Sequence, residues 1–201
     1  MHRSRQNSLQ FTLRDGTRVL LRPVIPDDRE RIQNGMAALS SASRYFRFFT
    51  SAAQLSDQQL RHFCEVDQRN HVAWVALDSC DPKHPGLGVA RFVRIYEEPT
   101  TAEMAFVVID AYQRRGLGTI LLAILYLMAE AGGVQMLRAI VLPENRRVSN
   151  WLRSLGAIER YEKDEYRLDL TVHHNPALLP QTSSSEYFKR VIEDLQTARR
   201  M

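Results

Sequence analysis

The chain has 201 residues, of which 44% are hydrophobic and 25% are charged, and its formal net charge at pH 7 is +4. This length suits one domain with a substantial core, and the composition is ordinary for a soluble globular protein. A surplus of four positive charges is compatible with a polyanionic cofactor but gives little reason to expect a nucleic-acid partner.

Cysteine spacing and apolar runs limit the class of protein further. Cys64 and Cys80 lack the spacing of a metal site or of a disulfide framework, so we expect free thiols, a cytoplasmic location and no bound metal. Residues 1–8 have no apolar core of the kind that a secretory signal carries. Residues 120–129, the most apolar run, are about half as long as the ~20 residues that cross a bilayer, which predicts a buried helix and no membrane attachment.

In the first half of the chain, apolar periodicity and turn residues predict a hairpin, three helices and two strands. These elements cover residues 11–22, 27–39, 40–49, a helix opening at 56–59, 71–77 and 86–95. Asp15-Gly16 suits the hairpin turn, and Asp27-Asp28 stand where the N-cap of the first helix belongs. Gly86 and Gly88 open a strand and not a helix, which favours a bend in the sheet over a phosphate loop.

The helix that opens at Ser40 carries an aromatic segment, Tyr45 to Phe49, with Arg44 and Arg47 interleaved. Such a segment could stack on nucleic-acid bases, but the packing of an amphipathic helix against its own domain is far commoner. We therefore expect a structural role for these rings.

In the second half, a turn at residues 97–101 leads into a central apolar strand, and strands and helices then alternate. The predicted elements are the strand 104–109, a helix that ends near 132–133, the strand 136–142, a helix over 145–155, the hairpin strands 158–161 and 166–172, and a helix over 186–199.

Between the central strand and its helix lies the stretch Gln113-Arg-Arg-Gly116-Leu-Gly118-Thr119. The first N–H groups of a helix have no partner within it, and glycines allow the close backbone approach that an anion requires. Arg114 and Arg115 add positive charge, so the stretch predicts a phosphate-binding loop. No lysine follows either glycine, which excludes a P-loop, and Leu121 replaces the third glycine of a dinucleotide-binding fingerprint. The pattern that remains is Q-x-x-G-x-G.

This pattern resembles the pyrophosphate loop of the GNAT superfamily of acyl-CoA-dependent N-acyltransferases. A second family feature, Asn145-x6-Leu152-x3-Gly156, lies on the helix after the next strand. More narrowly, the chain resembles the acetyltransferase domain of bacterial protein-lysine acetyltransferases. The stretches that carry this likeness are Leu13-Arg-Asp-Gly-Thr17, Arg22-Pro23, Ser43-Arg-Tyr-Phe-Arg-Phe-Phe49, Ala102-Glu103 and Glu144-Asn145-Arg146.

The resemblance implies an α+β (α/β GNAT) fold, with a mixed, centrally splayed sheet of about six or seven strands flanked by helices. It covers residues 9–172 as a GNAT acyl-CoA N-acyltransferase domain and leaves residues 173–201 as a C-terminal linker and helix. The implied reaction transfers an acetyl group from acetyl-CoA, the cosubstrate, to a primary amine, with a protein lysine as the favoured acceptor. A homodimer is a possible assembly.

By the same resemblance, backbone N–H groups of the loop hold the pyrophosphate, the central strand pairs with the pantetheine arm, and a backbone N–H polarises the thioester carbonyl. Asn145 contacts the cofactor from the opposite side of the splay, and Arg146 and Arg147 are candidates to reach the ribose phosphate. The implied cofactor-binding residues are Val107, Val108, Gln113, Arg114, Arg115, Gly116, Leu117, Gly118, Thr119 and Asn145.

Glu103 matches the family position, ten residues before Gln113, at which a strand-borne glutamate serves as general base. A lysine ammonium has a pKa near ~10.4 and must lose a proton before it can attack. Because the surrounding strand is apolar, we expect burial to raise the pKa of Glu103; the alternative is a glutamate at an exposed strand edge. Many members have a general-acid tyrosine where this chain has Leu152. Tyr112 is the nearest alternative by sequence, but a thiolate with a pKa near ~8.5 can also take its proton from solvent, so no acid is assigned.

Two other functions remain open. The acceptor could be a small amine, and a closed acidic pocket would favour a polyamine or an aminoglycoside over a protein. From a different class, a non-catalytic acyl-CoA-binding regulatory module would account for Leu152, although Glu103 argues against it.

Overall fold

The backbone is organised around one mixed sheet of eight strands with helices on both faces. The computed structural model describes residues 8–50 and 52–200. Its elements, in chain order, are β1 (Leu9–Thr12), β2 (Arg18–Pro23), α1 (Arg29–Ala37), α2 (Ser41–Phe48), α3 (Asp57–Cys64), β3 (His71–Asp78), β4 (Gly86–Ile95), β5 (Glu98–Val108), α4 (Leu117–Ala131), β6 (Met136–Val141), α5 (Arg146–Ser154), β7 (Ile158–Glu162), β8 (Glu165–Thr171) and α6 (Ser183–Arg200).

The sheet is splayed in its centre, between β5 and β6. The strand order is β1-β2-β3-β4-β5-β6-β8-β7, and the central pair β5–β6 is parallel whereas the other pairs are antiparallel. The parallel pair is joined at three positions: Thr101–Met136, Ala102–Leu137 and Glu103–Arg138. Beyond them the two strands separate, although β5 stays paired with β4 as far as Val108. One edge of β5 is therefore open from Met104 to Val108.

This architecture confirms the predicted fold, with two differences in the strands. The sheet has eight strands and not about six or seven, because both predicted hairpins, β1–β2 and β7–β8, join it with all of their strands. β5 begins at Glu98, so most of the turn predicted over residues 97–101 is strand. The register shifts between Arg94 and Ile95, and the resulting bulge accommodates Pro99, whose nitrogen cannot donate to a ladder.

On one face of the sheet, α4 forms the centre of the hydrophobic core against β3, β4 and β5. Most of its side chains are buried, as the predicted internal helix requires. Another side of α4 is covered by α6, whose Phe188, Val191, Ile192 and Leu195 are at most 1% exposed. Phe188 meets Tyr126 of α4 edge to face, with ring centroids 5.5 Å apart. The C-terminal helix thus packs on its own domain.

On the other face, a buried ion pair replaces an expected helix cap. Asp28 stands at the N-cap position of α1, as predicted, but its side chain caps nothing in that helix. It is fully buried, and both of its carboxylate oxygens accept hydrogen bonds of 2.6 Å from the guanidinium of Arg22. A carboxylate is needed there because an unpaired buried guanidinium would be strongly destabilising.

Gly86 and Gly88 let β4 bend and approach β5 closely, as expected. The pairing of β3 with β4 shifts register between Ala76 and Leu77, opposite these glycines. A Cβ atom on Gly88 would lie 2.8 Å from the carbonyl oxygen of Val107. Gly88 therefore lets β4 pack closely against the segment of β5 whose other edge is open.

Gly88→Ala is expected to lower the free energy of unfolding by ~1–3 kcal/mol, because the added methyl group forces β4 and β5 apart. Gly35→Ala is the control, since nothing lies within 4 Å of its Cβ position. Alanine at this helical position should stabilise the protein by ~0.5–1 kcal/mol. Urea unfolding of the three proteins measures both changes, and equal stability of Gly88→Ala and wild type would contradict the close approach.

Candidate active site

An open cavity of about 780 Å³ lies where β5 and β6 separate. Its wall includes the N-terminal ends of α2, α4, α5 and α6, where backbone N–H groups lack intrahelical partners and the peptide dipoles place partial positive charge. The charged side chains of the wall are Arg14, Arg47, Arg114, Arg147, Asp110 and Glu144. This combination suits a polyanionic ligand.

The open edge of β5 forms one side of the cavity. Phe106, Val107 and Val108 all line it, so the two valines predicted to lie beside the cofactor do face the cavity. The Phe106 ring meets Trp151 of α5 edge to face, at a centroid distance of 5.4 Å. Unpaired peptide groups beside an apolar wall can bind a long, amide-bearing chain as an added strand would bind.

The predicted phosphate loop opens α4 beside this edge. Gly116 is the N-cap of the helix with φ +94°, a conformation that favours glycine. Gly118 lies in the first turn, and nothing occupies the space within 4 Å of its Cβ position. Gly116, Gly118 and Thr119 line the cavity together. The structure thus assembles the loop that the spacing predicted.

Two polar residues before the glycines also line the cavity, in different ways. Gln113 holds the loop in place, because its Nε2 donates to the carbonyl oxygen of Val108 at 3.1 Å and to Ser43 Oγ at 3.2 Å. Arg114 has a positive φ of 63° and stands at the cavity wall. Gln113 therefore connects β5, the loop and α2, whereas Arg114 is available to a ligand.

Two other predicted loop residues do not present their side chains to the cavity. Arg115 donates to Asp15 Oδ2 at 2.9 Å and lies over the ring of Tyr112, with 4.9 Å from Cζ to the ring centroid. The side chain of Leu117 is fully buried in the core. A direct side-chain contact with the cofactor is thus not indicated for either residue, although the backbone N–H of Leu117 belongs to the helix N-terminus.

The start of α5 forms the opposite wall. Asn145 is its N-cap, with Oδ1 accepting from the backbone N–H of Val148 at 3.4 Å, and it lines the cavity together with Arg147. Leu152, where many relatives would have a tyrosine, is fully buried. Asn145 thus lies on the cavity wall, and its contact with the cofactor stays a prediction.

Glu103 lies at the point where β5 and β6 part, opposite Arg138 in the register. Its side chain is exposed, so the expected burial is wrong. Side chains alternate along a strand, and it is Ala102 and Met104 that point into the core, which leaves Glu103 on the other face. The argument from desolvation therefore does not apply, but the side chain is accessible to an acceptor.

Part of the cavity wall was not predicted from the sequence. Tyr187 of α6 lies at the phosphate loop, with its hydroxyl 2.7 Å from the position of a Cβ on Gly116. The guanidinium of Arg14 stacks on the Tyr187 ring at 3.6 Å. Arg47 of α2 also lines the cavity. Arg14 and Arg47 fall within stretches that carry the family likeness, whereas α6 offers no such signal.

Residues 18–158 match the family described as Acetyltransferase (GNAT) domain. The chain belongs to this family, which confirms the predicted superfamily, fold and class of enzyme.

The family includes relatives with known names and structures. The chain is 34% identical over 188 residues to Acetyltransferase Pat of Mycolicibacterium smegmatis, covering 94% of this chain and 54% of that protein. It is 30% identical over 154 residues to Acetyltransferase PA5475 of Pseudomonas aeruginosa, covering 77% of this chain and 82% of that protein. The crystal structure of the GNAT domain of S. lividans PAT matches with a TM-score of 0.75 at 28% identity, over 82% of this chain and 96% of that domain. The chain thus spans about half the length of the M. smegmatis relative.

Within the part of the chain that the structure describes, no group of three or more His, Cys, Asp or Glu side chains is arranged to hold a metal ion. Cys64 is a buried free thiol and Cys80 an exposed one. None of the helices there is sufficiently long and apolar to cross a membrane.

Gly116→Ala is expected to destabilise the protein more than Gly133→Ala. Both glycines have positive φ, which is unfavourable for alanine by ~1–2 kcal/mol, but only the Gly116 position is also obstructed by Tyr187. Adding Tyr187→Phe to Gly116→Ala removes the obstructing hydroxyl and should recover part of the loss. Urea unfolding of these variants is the measurement, and equal losses for the two glycines would refute the contact with Tyr187.

Proposed function

We propose that the protein transfers the acetyl group of acetyl-CoA to the side-chain amine of a protein lysine. The observation that carries this proposal is the open edge of β5, which begins next to Glu103 and leads along the cavity to the Gly116–Thr119 loop. A polyanionic acyl donor bound along this edge and an amine beside Glu103 would meet where the strands part.

The cavity suits each part of acetyl-CoA in turn. Backbone N–H groups at Gly116 and Gly118 would bind the pyrophosphate, as helix N-termini bind phosphates in general. The pantetheine amides would pair with the backbone at Val107 and Val108 as an added strand. Asn145 would contact the cosubstrate from the opposite wall. The helix N-termini and the arginines of the wall offset the charge of the phosphates.

Glu103 is the proposed general base. It would accept a proton from the lysine ammonium, and the free amine would then form a bond to the thioester carbonyl carbon. A backbone N–H of the open edge would stabilise the oxyanion of the tetrahedral intermediate. As the intermediate collapses, its nitrogen releases a second proton to solvent and the carbon–sulfur bond breaks, so that the products are an amide and the CoA thiolate.

The thiolate would take its proton from solvent. Leu152 cannot donate one, and the hydroxyl of Tyr112 is engaged with Asp78 Oδ2 at 3.3 Å. The tyrosine of the cavity wall, Tyr187, lies at the phosphate loop and not near the thioester. A thiol with a pKa near ~8.5 is a sufficiently stable leaving group to depart as the anion.

The protein acceptor is favoured by the shape and charge of the site. The cavity is open, and Asp110, one of its two carboxylates, is already bound to the hydroxyls of Ser40 and Ser43. A wall with four arginines disfavours a polyamine or an aminoglycoside. Tyr45 of α2 and Phe49, which follows the helix, are each almost half exposed, so the expected packing of these two rings is wrong. They provide apolar surface for a docking protein beside the cavity.

Other features of the function stay predictions. They are the cytoplasmic location, the homodimer and the lack of a nucleic-acid partner. The alternatives are a small-molecule acceptor and a regulatory module that binds acyl-CoA without catalysis.

Glu103→Gln is expected to lower kcat by ~10²-fold or more, because the amide cannot accept the ammonium proton. Its dissociation constant for acetyl-CoA should not change, since Glu103 lies away from the phosphate loop. Glu97→Gln is the matched control, with the same loss of charge at an exposed turn residue. Thiol release and calorimetric titration with acetyl-CoA measure the two quantities; an unchanged kcat would refute the assignment of the base.

The first experiment on the wild-type protein is thiol release from acetyl-CoA with lysine-bearing proteins, peptides and small amines as acceptors. We expect release that depends on a protein or peptide lysine. Release with small amines alone would change the acceptor class. Tight acetyl-CoA binding without release for any acceptor would favour the regulatory module.

A further inference from the structure

Arg47 of α2 is a half-buried cation on the cavity wall without a counterion at hydrogen-bonding distance. Its Nε atom is buried and makes no hydrogen bond, and no carboxylate within the described residues forms an ion pair with it. Its guanidinium lies over the Phe48 ring, 4.7 Å from Cζ to the centroid. Burial lowers the pKa of Arg47 to about 10, and the charge of Glu103 opposes this shift. A buried guanidinium N–H group normally has a hydrogen-bond partner, so this one needs explanation.

A second arginine makes the same region more positive. Arg91 of β4 is 5% exposed, donates to the carbonyl oxygen of Phe63 at 3.3 and 3.4 Å, and lies 3.1 Å from His71 Nε2. Burial and then the charge of Arg47 lower the pKa of Arg91 to about 9. Burial and the charge of Arg91 lower the pKa of His71 to about 4, so the imidazole is neutral and acts as acceptor. Arg47 and Arg91 are thus two neighbouring cations on this side of the cavity.

Arg47 lies at the acyl-transfer end of the cavity and not at its phosphate end. Its helix ends at Phe48, whose ring lies 6.1 Å from that of Phe63, and the guanidinium of Arg91 lies over the same Phe63 ring at 4.4 Å. Arg91 pairs in register with Ala105, two residues after Glu103, and the charge of Glu103 acts on Arg47. Glu103 is five residues from Val108, about 17 Å along an extended strand, and the phosphate loop follows beyond that point. An anion bound at Arg47 would therefore belong to the acceptor or to the acyl group, and not to the phosphates of CoA.

We infer that Arg47 binds a carboxylate of the acceptor, so that the substrate is a lysine with an aspartate or glutamate side chain close to it. The inference rests on the proposed acetyl transfer. Arg47 is then a specificity-determining residue, because its planar guanidinium can hold the carboxylate by two hydrogen bonds while the amine approaches Glu103.

The test uses pairs of lysine peptides that differ by one residue, glutamate or glutamine, at a position before or after the lysine. For at least one pair, the wild-type protein should show a kcat/KM that is ~10-fold or more higher for the glutamate peptide. In Arg47→Gln this ratio should fall to about one, and in Arg47→Lys it should be partly restored. Arg61→Gln, the same charge change at an exposed position of α3, should keep the wild-type ratio.

Acetyl-CoA binding and urea unfolding of each variant verify that it is folded. A wild-type ratio near one for every pair, or a ratio that persists in Arg47→Gln, would overturn the inference. A preference for succinyl-CoA over acetyl-CoA that disappears in Arg47→Gln, without discrimination between the peptides, would overturn the acceptor assignment and move the carboxylate to the acyl chain. If the wild type transfers to no peptide, the proposed function fails, and calorimetric binding of the peptide pairs to the CoA-bound protein still decides the role of Arg47.

Discussion

The site depends on the parting of two parallel strands. β5 and β6 pair at three positions only, and then one edge of β5 is left without a neighbour. Buried peptide groups must find partners, so a strand edge inside a domain is tolerated only where water or a ligand can satisfy it. The paired end is held by Arg138 of β6, which binds Glu98 at 2.7 and 2.9 Å and Asp169 at 2.8 Å. Because this cross-link stands directly at the fork, it fixes where the strands diverge and hence where Glu103 stands.

Glycine and positive charge adapt the open edge to its ligand. Gly88 brings β4 close behind Val107, and Gly116 turns the chain into α4 at a φ that other residues avoid. The helix N-termini then converge on the same cavity, each with unpaired N–H groups, and arginines from separate elements add full charges. The backbone thus supplies most of the binding groups, and few side chains need to be specified for the phosphates.

Most of the fold and of the phosphate loop could be predicted from local sequence. The features that could not be predicted depend on contacts between distant parts of the chain or on ambiguous residue types. The strand, the Q-x-x-G-x-G loop and the buried helix α4 are encoded within residues 104–131, so their spacing was sufficient. The exposure of Glu103 could not be deduced, because it depends on which face of the sheet the core lies against. Arg14 and Tyr187 meet across most of the length of the chain, and no local pattern reports such a contact. The partner of Asp28 was missed because a buried ion pair and a helix cap use the same residue type at the same place.

The packing of α6 on α4 has a consequence for synthesis on the ribosome. α4 and its glycine loop are made long before α6, so a nascent chain exposes one apolar side of α4 until Phe188 and the residues after it have emerged. During that interval the cavity lacks the wall that bears Tyr187, and the anion-binding groups of the loop stand in open solvent. The hydrophobic core and the ligand site are therefore completed at the same stage of synthesis, because both require α6.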